Sequence, residues 1–261
     1  IGYKNWAFVE GTASYDINSR LAYFYDYDFG NTNFFYPGVN ASILLSEAIP
    51  AIKNSKLISY LKVRGAISKT GNVNLQTYGL ENVYGLGGGF PYGTLVGYTS
   101  SNLLLLPKYN PEFVKNNEAG IEIGLLKNRI NIEATVYTQD NTDQIVDVQY
   151  SAATGFTSAR LNAASFENKG LELDLRLTPL VKLGKVNIDF KVNYTYQDNK
   201  VTKIIEGVDQ LGIGNGNYVI VGKPAYTFQL TDYVRDDQGR VIVDANTGYP
   251  TVDPVIKPFG R

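Results

Sequence analysis

The sequence has 261 residues, with 24 Lys and Arg against 25 Asp and Glu, and it contains no His, Cys or Met. Its 44% apolar and 19% charged residues allow a packed structure, and its length suits one large all-β domain. Missing Cys and His exclude disulfides, thiolate metal sites and imidazole bases or ligands, and the near-neutral charge offers no basic face for nucleic acid.

Period-two alternation, the mark of strands with two unlike faces, dominates the chain. It predicts strands over residues 5–17, 35–46 and 57–69, joined by a long loop over 18–34 and a short one over 47–56. A Gly- and Tyr-rich loop over 70–115 leads to a fourth strand over 116–125. Lys127-Asn128-Arg129 predicts a tight turn into a strand over 130–139, where Ile130, Ile132, Ala134 and Val136 oppose Asn131, Glu133, Thr135 and Gln139. Residues 147–164 are expected as another long loop. Over 170–178 the leucines Leu171, Leu173, Leu175 and Leu177 oppose Glu172, Asp174 and Arg176, and 179–185 form a short link. The cleanest alternation is 186–197, with Val186, Ile188, Phe190, Val192, Tyr194 and Tyr196 opposing Asn187, Asp189, Lys191, Asn193, Thr195 and Gln197. Residues 201–261 read as an elaborated loop with short β runs at 218–221 and 240–243 and a Pro-rich end at Arg261. Hairpin tips are expected at Asp237-Gln238-Gly239 and Asn246-Thr247-Gly248.

Alternation alone leaves a soluble β-sandwich open, since such a sheet also has one apolar face. Two features favour a membrane barrel. Several strands exceed the five or six residues usual in soluble sheets and reach the roughly 9–11 that a tilted membrane strand needs. Connections also alternate long and short, as in an up-and-down meander with long extracellular loops on one rim and short periplasmic turns on the other. The 20 Tyr and 12 Phe suit interface girdles. The expected fold is therefore all-β, part of an antiparallel transmembrane β-barrel, with residues 1–261 one piece of that domain. Seven strands leave two open edges and a bare apolar face, so the chain is expected to be an internal segment of a longer protein.

Catalytic signatures are weak. Gly85-Leu86-Gly87-Gly88-Gly89 and Gly212-Ile213-Gly214-Asn215-Gly216 lack the last glycine of a phosphate-cradling loop and read as loop tips. Asp140-Asn141-Thr142-Asp143 has oxygen ligands but not the glycine and distal Glu of a calcium loop, and reads as a solvated strand end. No metal or cofactor is expected. The sequons at Asn40 and Asn193 fall inside strands. Glu133, Glu172, Asp174, Arg176, Asp189 and Lys191 are expected to face a wet lumen. Tyr78, Tyr84, Phe90, Tyr92, Tyr98 and Tyr109 are candidates for contact with a substrate or partner, since rings on adaptable loops suit sugars, peptides or a protein surface. Packing of these rings onto their own loop is the plain alternative.

Several segments resemble a known family. Phe35-Tyr36-Pro37-Gly38-Val39-Asn40-Ala41-Ser42, Leu61-Lys62-Val63-Arg64-Gly65-Ala66 and Lys69-Thr70-Gly71-Asn72 are similar to the barrel of TonB-dependent receptors, the SusC/RagA type of Bacteroidetes in particular. So are Asn110-Pro111-Glu112, residues 117–124, Ala153-Thr154-Gly155-Phe156, residues 162–172 and Val221-Gly222-Lys223-Pro224. The resemblance implies the later part of a barrel of about 22 strands in the bacterial outer membrane. It also implies TonB-driven import of an oligosaccharide or oligopeptide nutrient, through a plug domain absent from this segment, and a SusD-like surface lipoprotein over the mouth. It implies no enzyme activity, and lack of His argues against a barrel hydrolase. A passive porin-like or adhesin-like barrel and a soluble β-sandwich binding module are the rival readings.

Overall fold

A computed structural model describes residues 1–22 and 31–259; of the expected loop 18–34, residues 23–30 fall outside that part, as does Arg261. In chain order the strands are β1 (Gly2–Tyr3), β2 (Ala7–Ile17), β3 (Asn33–Leu44), β4 (Ile58–Asn72), β5 (Tyr84–Leu86), β6 (Tyr98–Ser100) and β7 (Leu103–Leu104). They continue as β8 (Glu112–Leu125), β9 (Ile130–Gln149), β10 (Ser158–Leu183), β11 (Val186–Ile204), β12 (Gln210–Gly214), β13 (Asn217–Ile220), β14 (Thr227–Tyr233) and β15 (Val252–Phe259). The seven expected strands are β2, β3, β4, β8, β9, β10 and β11, and each pairs antiparallel with the next in that order. The fold class expected from the sequence is therefore the one found.

Connections sort to two rims. Residues 18–32, 73–111 and 150–157 join strands at one rim, and 45–57, 126–129 and 184–185 join them at the other. The tight turn at Lys127-Asn128-Arg129 is present: Leu126, Lys127 and Asn128 all have positive φ, and the Lys127 N–H donates to Ser59 Oγ at 2.7 Å. Residues 45–57 hold two helical turns, Leu45–Ala48 and Pro50–Lys53, so β3 stops short of Ser46. Pro50 starts the second turn, where its missing N–H costs nothing.

The expected long loop over 147–164 is mostly strand. β9 and β10 stay paired from Leu177↔Ile130 up to Ser158↔Gln149 and leave only 150–157 as connection. Two-face alternation fades here because this part stands clear of the apolar band and packs in a local core. Val148, Ala159, Ala163 and Ala164 are buried there with Val201, Ile204, Leu211 and Val219. Asp140 to Asp143 accordingly lie inside β9 and not at a strand end. Residues 201–259 also hold more structure than a loop: β11 continues to Ile204, and β12 to β15 form a four-stranded sheet. The two hairpin tips are where the sequence puts them. Asp236 accepts from the N–H groups of Gln238 and Arg240, Asp244 accepts from those of Asn246 and Thr247, and Gly239 and Gly248 take positive φ.

Strand register divides the sheet into two faces. One carries Val63, Ile121, Ala134, Leu173 and Tyr194 in a single cross-strand row, and Gly65, Ala119, Val136, Leu171 and Tyr196 in the next. This face is bare: Val136 and Tyr194 are each 53% exposed. On β11 it runs unbroken from Val186 to Tyr196, about 33 Å along the strand and about 25 Å in thickness at a membrane strand's tilt. In the row beyond it Ile67 on β4 is still apolar, while Asn117, Thr138, Lys169 and Asp198 are polar. An apolar band of that height, with nothing packed on it among the described residues, matches the lipid face of a barrel and not the buried face of a sandwich.

Candidate functional site

The opposite face of the same strands is polar and cross-linked. Lys62, Glu122, Glu133, Asp174 and Asn193 stand in one row across five strands. Glu122 and Glu133 are directly opposite, an arrangement that repels unless cations intervene. Lys62 Nζ lies 2.8 Å from Glu122 Oε1, and Arg64 bonds Glu118 on β8, then Glu133 at 3.2 Å and Thr135 Oγ1 at 2.8 Å on β9. Arg64 reaches past β8 because its partner there is Gly120, where a Cβ would stand 2.9 Å from Nε. Arg176 Nε donates to Asp174 Oδ1 at 2.8 Å, and Asn193 donates to the other oxygen of Asp174. The ring of Tyr137 lies over Gly170 in the same way, using the space a side chain would fill.

Of the sequence candidates, Glu133, Asp174 and Arg176 line one recess of about 310 Å³ together with Tyr60, Glu122 and Asn131. Glu172 shares the face one row away, opposite Thr135 and Thr195, and Lys191 is opposite Arg176 on β11. Asp189 is two residues from Lys191 on the same strand face. Sequence reasoning missed Lys62, Arg64, Glu118 and Glu122. Their signal was a base-rich β4 facing an acid-rich β8, each at spacing two or four, blurred by Tyr60, Ala66 and the glycines.

At the long-loop rim the strands enclose a chamber of about 950 Å³. Amide side chains dominate its polar lining: Gln144, Asn168, Gln197 and Asn199 on the strands, Asn74 and Gln76 on the loop. Arg160 grips Asp147 with two bonds of 2.6 and 2.9 Å, which holds its guanidinium above its already high ordinary pKa and leaves the pair neutral. Asn199 donates to Asn168 and accepts from the Ala225 N–H, tying the segment after β13 to the wall.

The loop 73–111 has two parts. Its base is fixed. Leu103–Leu104 pair in parallel with Ser158 and Ala159, and Asn162 Nδ2 donates to the Asn110 and Asp143 carbonyls. Tyr109 is 1% exposed, with its hydroxyl accepting from the Leu106 N–H and donating to the Arg160 carbonyl. Tyr109 therefore does not belong among exposed contact rings; burial, which also raises its pKa, makes it an anchor. Glu112, 6% exposed, accepts from the Ile145 N–H and from Asn72, and burial raises its pKa despite those bonds. The loop's tip is open: Tyr84, Tyr92 and Tyr98 cluster on the β5–β6 hairpin and its turn, and with Tyr78 they are 68–77% exposed, while Phe90 is half-exposed against Gly87 and Gly97. Gly85 belongs to β5 and Gly212 to β12, and neither glycine run opens a helix.

The sequence model of the family described as TonB dependent receptor-like, beta-barrel matches residues 3–253. Two curated relatives come from Formosa agariphila. TonB-dependent receptor P39 is 26% identical over 185 residues, 71% of this chain and 17% of that protein. TonB-dependent receptor P26 is 27% identical over 225 residues, 81% of this chain and 22% of that protein. The chain thus spans about a fifth of the length of these relatives. Among solved structures, the RagAB peptide transporter superposes with a TM-score of 0.79 at 20% identity, covering 99% of this chain and 28% of the other. The RagAB peptide importer in its "open-open" state gives 0.76 at 20% identity, with the same coverage of both chains. At that identity these likenesses speak for the fold.

Proposed function

This chain belongs to the TonB dependent receptor-like β-barrel family, and from that premise we propose that it forms wall and mouth of an outer-membrane importer energised through TonB. The observation that carries the reading is the two-faced sheet: a bare apolar band backs a lattice of fixed charges, as a barrel wall between lipid and a wet lumen requires. In this reading Glu133, Glu172, Asp174, Arg176, Asp189 and Lys191 face the lumen with Lys62, Arg64, Glu118 and Glu122, and meet a plug supplied by the rest of the protein. The chamber at the long-loop rim opens outward and receives a polar oligomer. Amides suit both an oligosaccharide and an oligopeptide, and the structurally similar RagAB is named a peptide transporter.

Tyr78, Tyr84, Phe90, Tyr92 and Tyr98 form the surface on which a SusD-like lipoprotein caps the mouth. No chemistry in the wall breaks a covalent bond. Deleting residues 84–98 in the whole protein is expected to abolish capping or uptake of labelled oligomers while the barrel still reaches the outer membrane. Unchanged uptake and capping would overturn the assignment of the hairpin. Uptake that persists in cells lacking TonB would favour a passive porin.

A further inference from the structure

The structure assigns a binding site for a linear, uncharged oligosaccharide to a belt that runs from the chamber across the wall, one sugar to each strand. The inference rests on the importer reading and deepens it, since that reading leaves the chemistry of the oligomer open. One cross-strand row on the polar face reads Ser68, Asn116, Gln139, Asn168 and Asn199 from β4 to β11. Asn168 and Asn199 also line the chamber. The row continues through Gly38 of β3 to Thr12 of β2, whose Oγ1 leans over that glycine, 2.7 Å from where a Cβ would stand. Seven strands thus contribute no charge at this height. The row beneath holds two carboxylates, and both are engaged: Glu118 by Arg64 and Glu10 by Asn40.

These side chains have bonding capacity to spare. Among the described residues Ser68, Asn116 and Gln139 make no side-chain hydrogen bond, and Asn116 Oδ1 is shut from solvent without a donor. An orphaned amide oxygen is costly, and turning that amide to a ligand's hydroxyl removes the cost. Spacing decides between the two oligomers that amides suit. Neighbouring strands stand about 4.8 Å apart, so the five side chains from Ser68 to Asn199 repeat at that step over about 19 Å. A pyranose in an extended glycan advances by nearly the same step, and its hydroxyls both donate and accept, as amides do. An extended peptide turns like backbone groups to one side only every second residue, about 6.8 Å, and falls out of step within two strands. Its charged ends would also meet no counter-ion in the belt. Rings bracket the row: Phe166 stands one row above, opposite Asn141, and Tyr137 one row below, against Gly170. Both offer flat apolar surfaces for the C–H faces of sugars.

The test uses the whole receptor in detergent, probed separately with linear glucans, mannans, xylans and galactans of graded length, with oligogalacturonates and with short peptides. At least one neutral series is expected to bind, with affinity that climbs up to about five sugars, one per side chain from Ser68 to Asn199, and then levels. Oligogalacturonates and peptides of equal length should bind at least tenfold more weakly. Asn116→Asp/Gln139→Glu keeps the shape of the belt but charges it, and should cost about tenfold or more in affinity for the neutral series. Gln139→Ala removes one amide without adding charge and should cost about fivefold. Unchanged heat-modifiable migration on gels checks folding of both variants. Peptides that bind as tightly as the neutral glycans, affinity that ignores chain length, or parental affinity in both variants overturns the belt. So does a failure of every neutral series to bind. TonB-dependent uptake of some other cargo alongside any of these results sinks this inference alone; uptake that persists without TonB sinks the reading beneath it.

Discussion

The wall and the mouth of this molecule are held together by different kinds of bond. Between β4 and β11 the wall is a ladder, and its polar side chains meet partners at most two strands away: Lys62 meets Glu122 directly across, Arg64 spans Glu118 and Glu133 on the next two strands, and Arg176 meets Asp174 two residues along its own strand. At the mouth, single side chains replace ladder bonds and join residues far apart in sequence: Tyr109 to Arg160, Asn162 to Asn110, Glu112 to Ile145 and Asn31 to the Tyr109 carbonyl. A ladder spreads its stability over many equivalent bonds, so losing one side chain is shared. A pinned loop concentrates its stability in a few anchors, and losing one frees the whole segment.

The largest expected effect follows from that contrast. Tyr109→Ala empties a buried site and strands the Leu106 N–H and Arg160 carbonyl, at a cost of about 3–5 kcal/mol. Because the anchor is local, the cost should appear as opening of residues 73–111 and not as collapse of the barrel. Limited proteolysis of the intact receptor should cleave in that loop at least about a hundredfold faster, while the folded barrel's heat-resistant gel mobility stays put. If the barrel melts instead, mouth and wall are one cooperative unit and the comparison fails.

Arg64→Ala probes the other side. It leaves Glu118 and Glu133 without their shared cation, with Glu122 and Glu133 still opposed. Arg64 is 31% exposed, so solvent screens part of the loss. A destabilisation of about 1–3 kcal/mol is expected, read as a lower unfolding temperature of the barrel. Loop proteolysis should not change. Gradual acceleration of cleavage in 73–111 in this variant would mean the wall's charges reach the mouth.

The same contrast decides what the sequence made legible. Wall strands announce themselves because lipid and lumen demand opposite side chains at alternate positions: Val186 to Gln197 obeys at every residue, and the strand is there. Where a strand leaves the band, both its faces pack against protein, and the pattern is erased; hence 147–164 reads as loop although it is paired throughout most of its length. The polar-face bases Lys62 and Arg64 were hidden because their value depends on which strand lies opposite, and register is not written in one strand. Tyr109 was misplaced for a related reason. Its composition-level surroundings match those of Tyr92 and Tyr98, yet it packs with Leu75, Leu80 and Ile145, contacts that sequence spacing does not disclose.

The smallest effect concerns Glu112, the carboxylate among the mouth anchors. Burial holds its folded-state pKa above the ordinary carboxylate value of 4.5, so the folded protein binds this proton more tightly than the unfolded chain does. Stability therefore rises as pH falls through the raised folded pKa, and the gain is complete below the unfolded value. The opposing bonds from the Ile145 N–H and Asn72 keep the ionised form tolerable at neutral pH, which limits the size of the gain. Glu112→Gln keeps an oxygen for the Ile145 N–H and removes the titration. Cleavage of residues 73–111, followed with an acid-tolerant protease, should slow on acidification from neutral pH in the parent and stay flat in the variant. An equal pH response in both would place the titrating group elsewhere. A response in barrel melting and not in loop cleavage would move Glu112 from the mouth to the wall, and with it the boundary between the two.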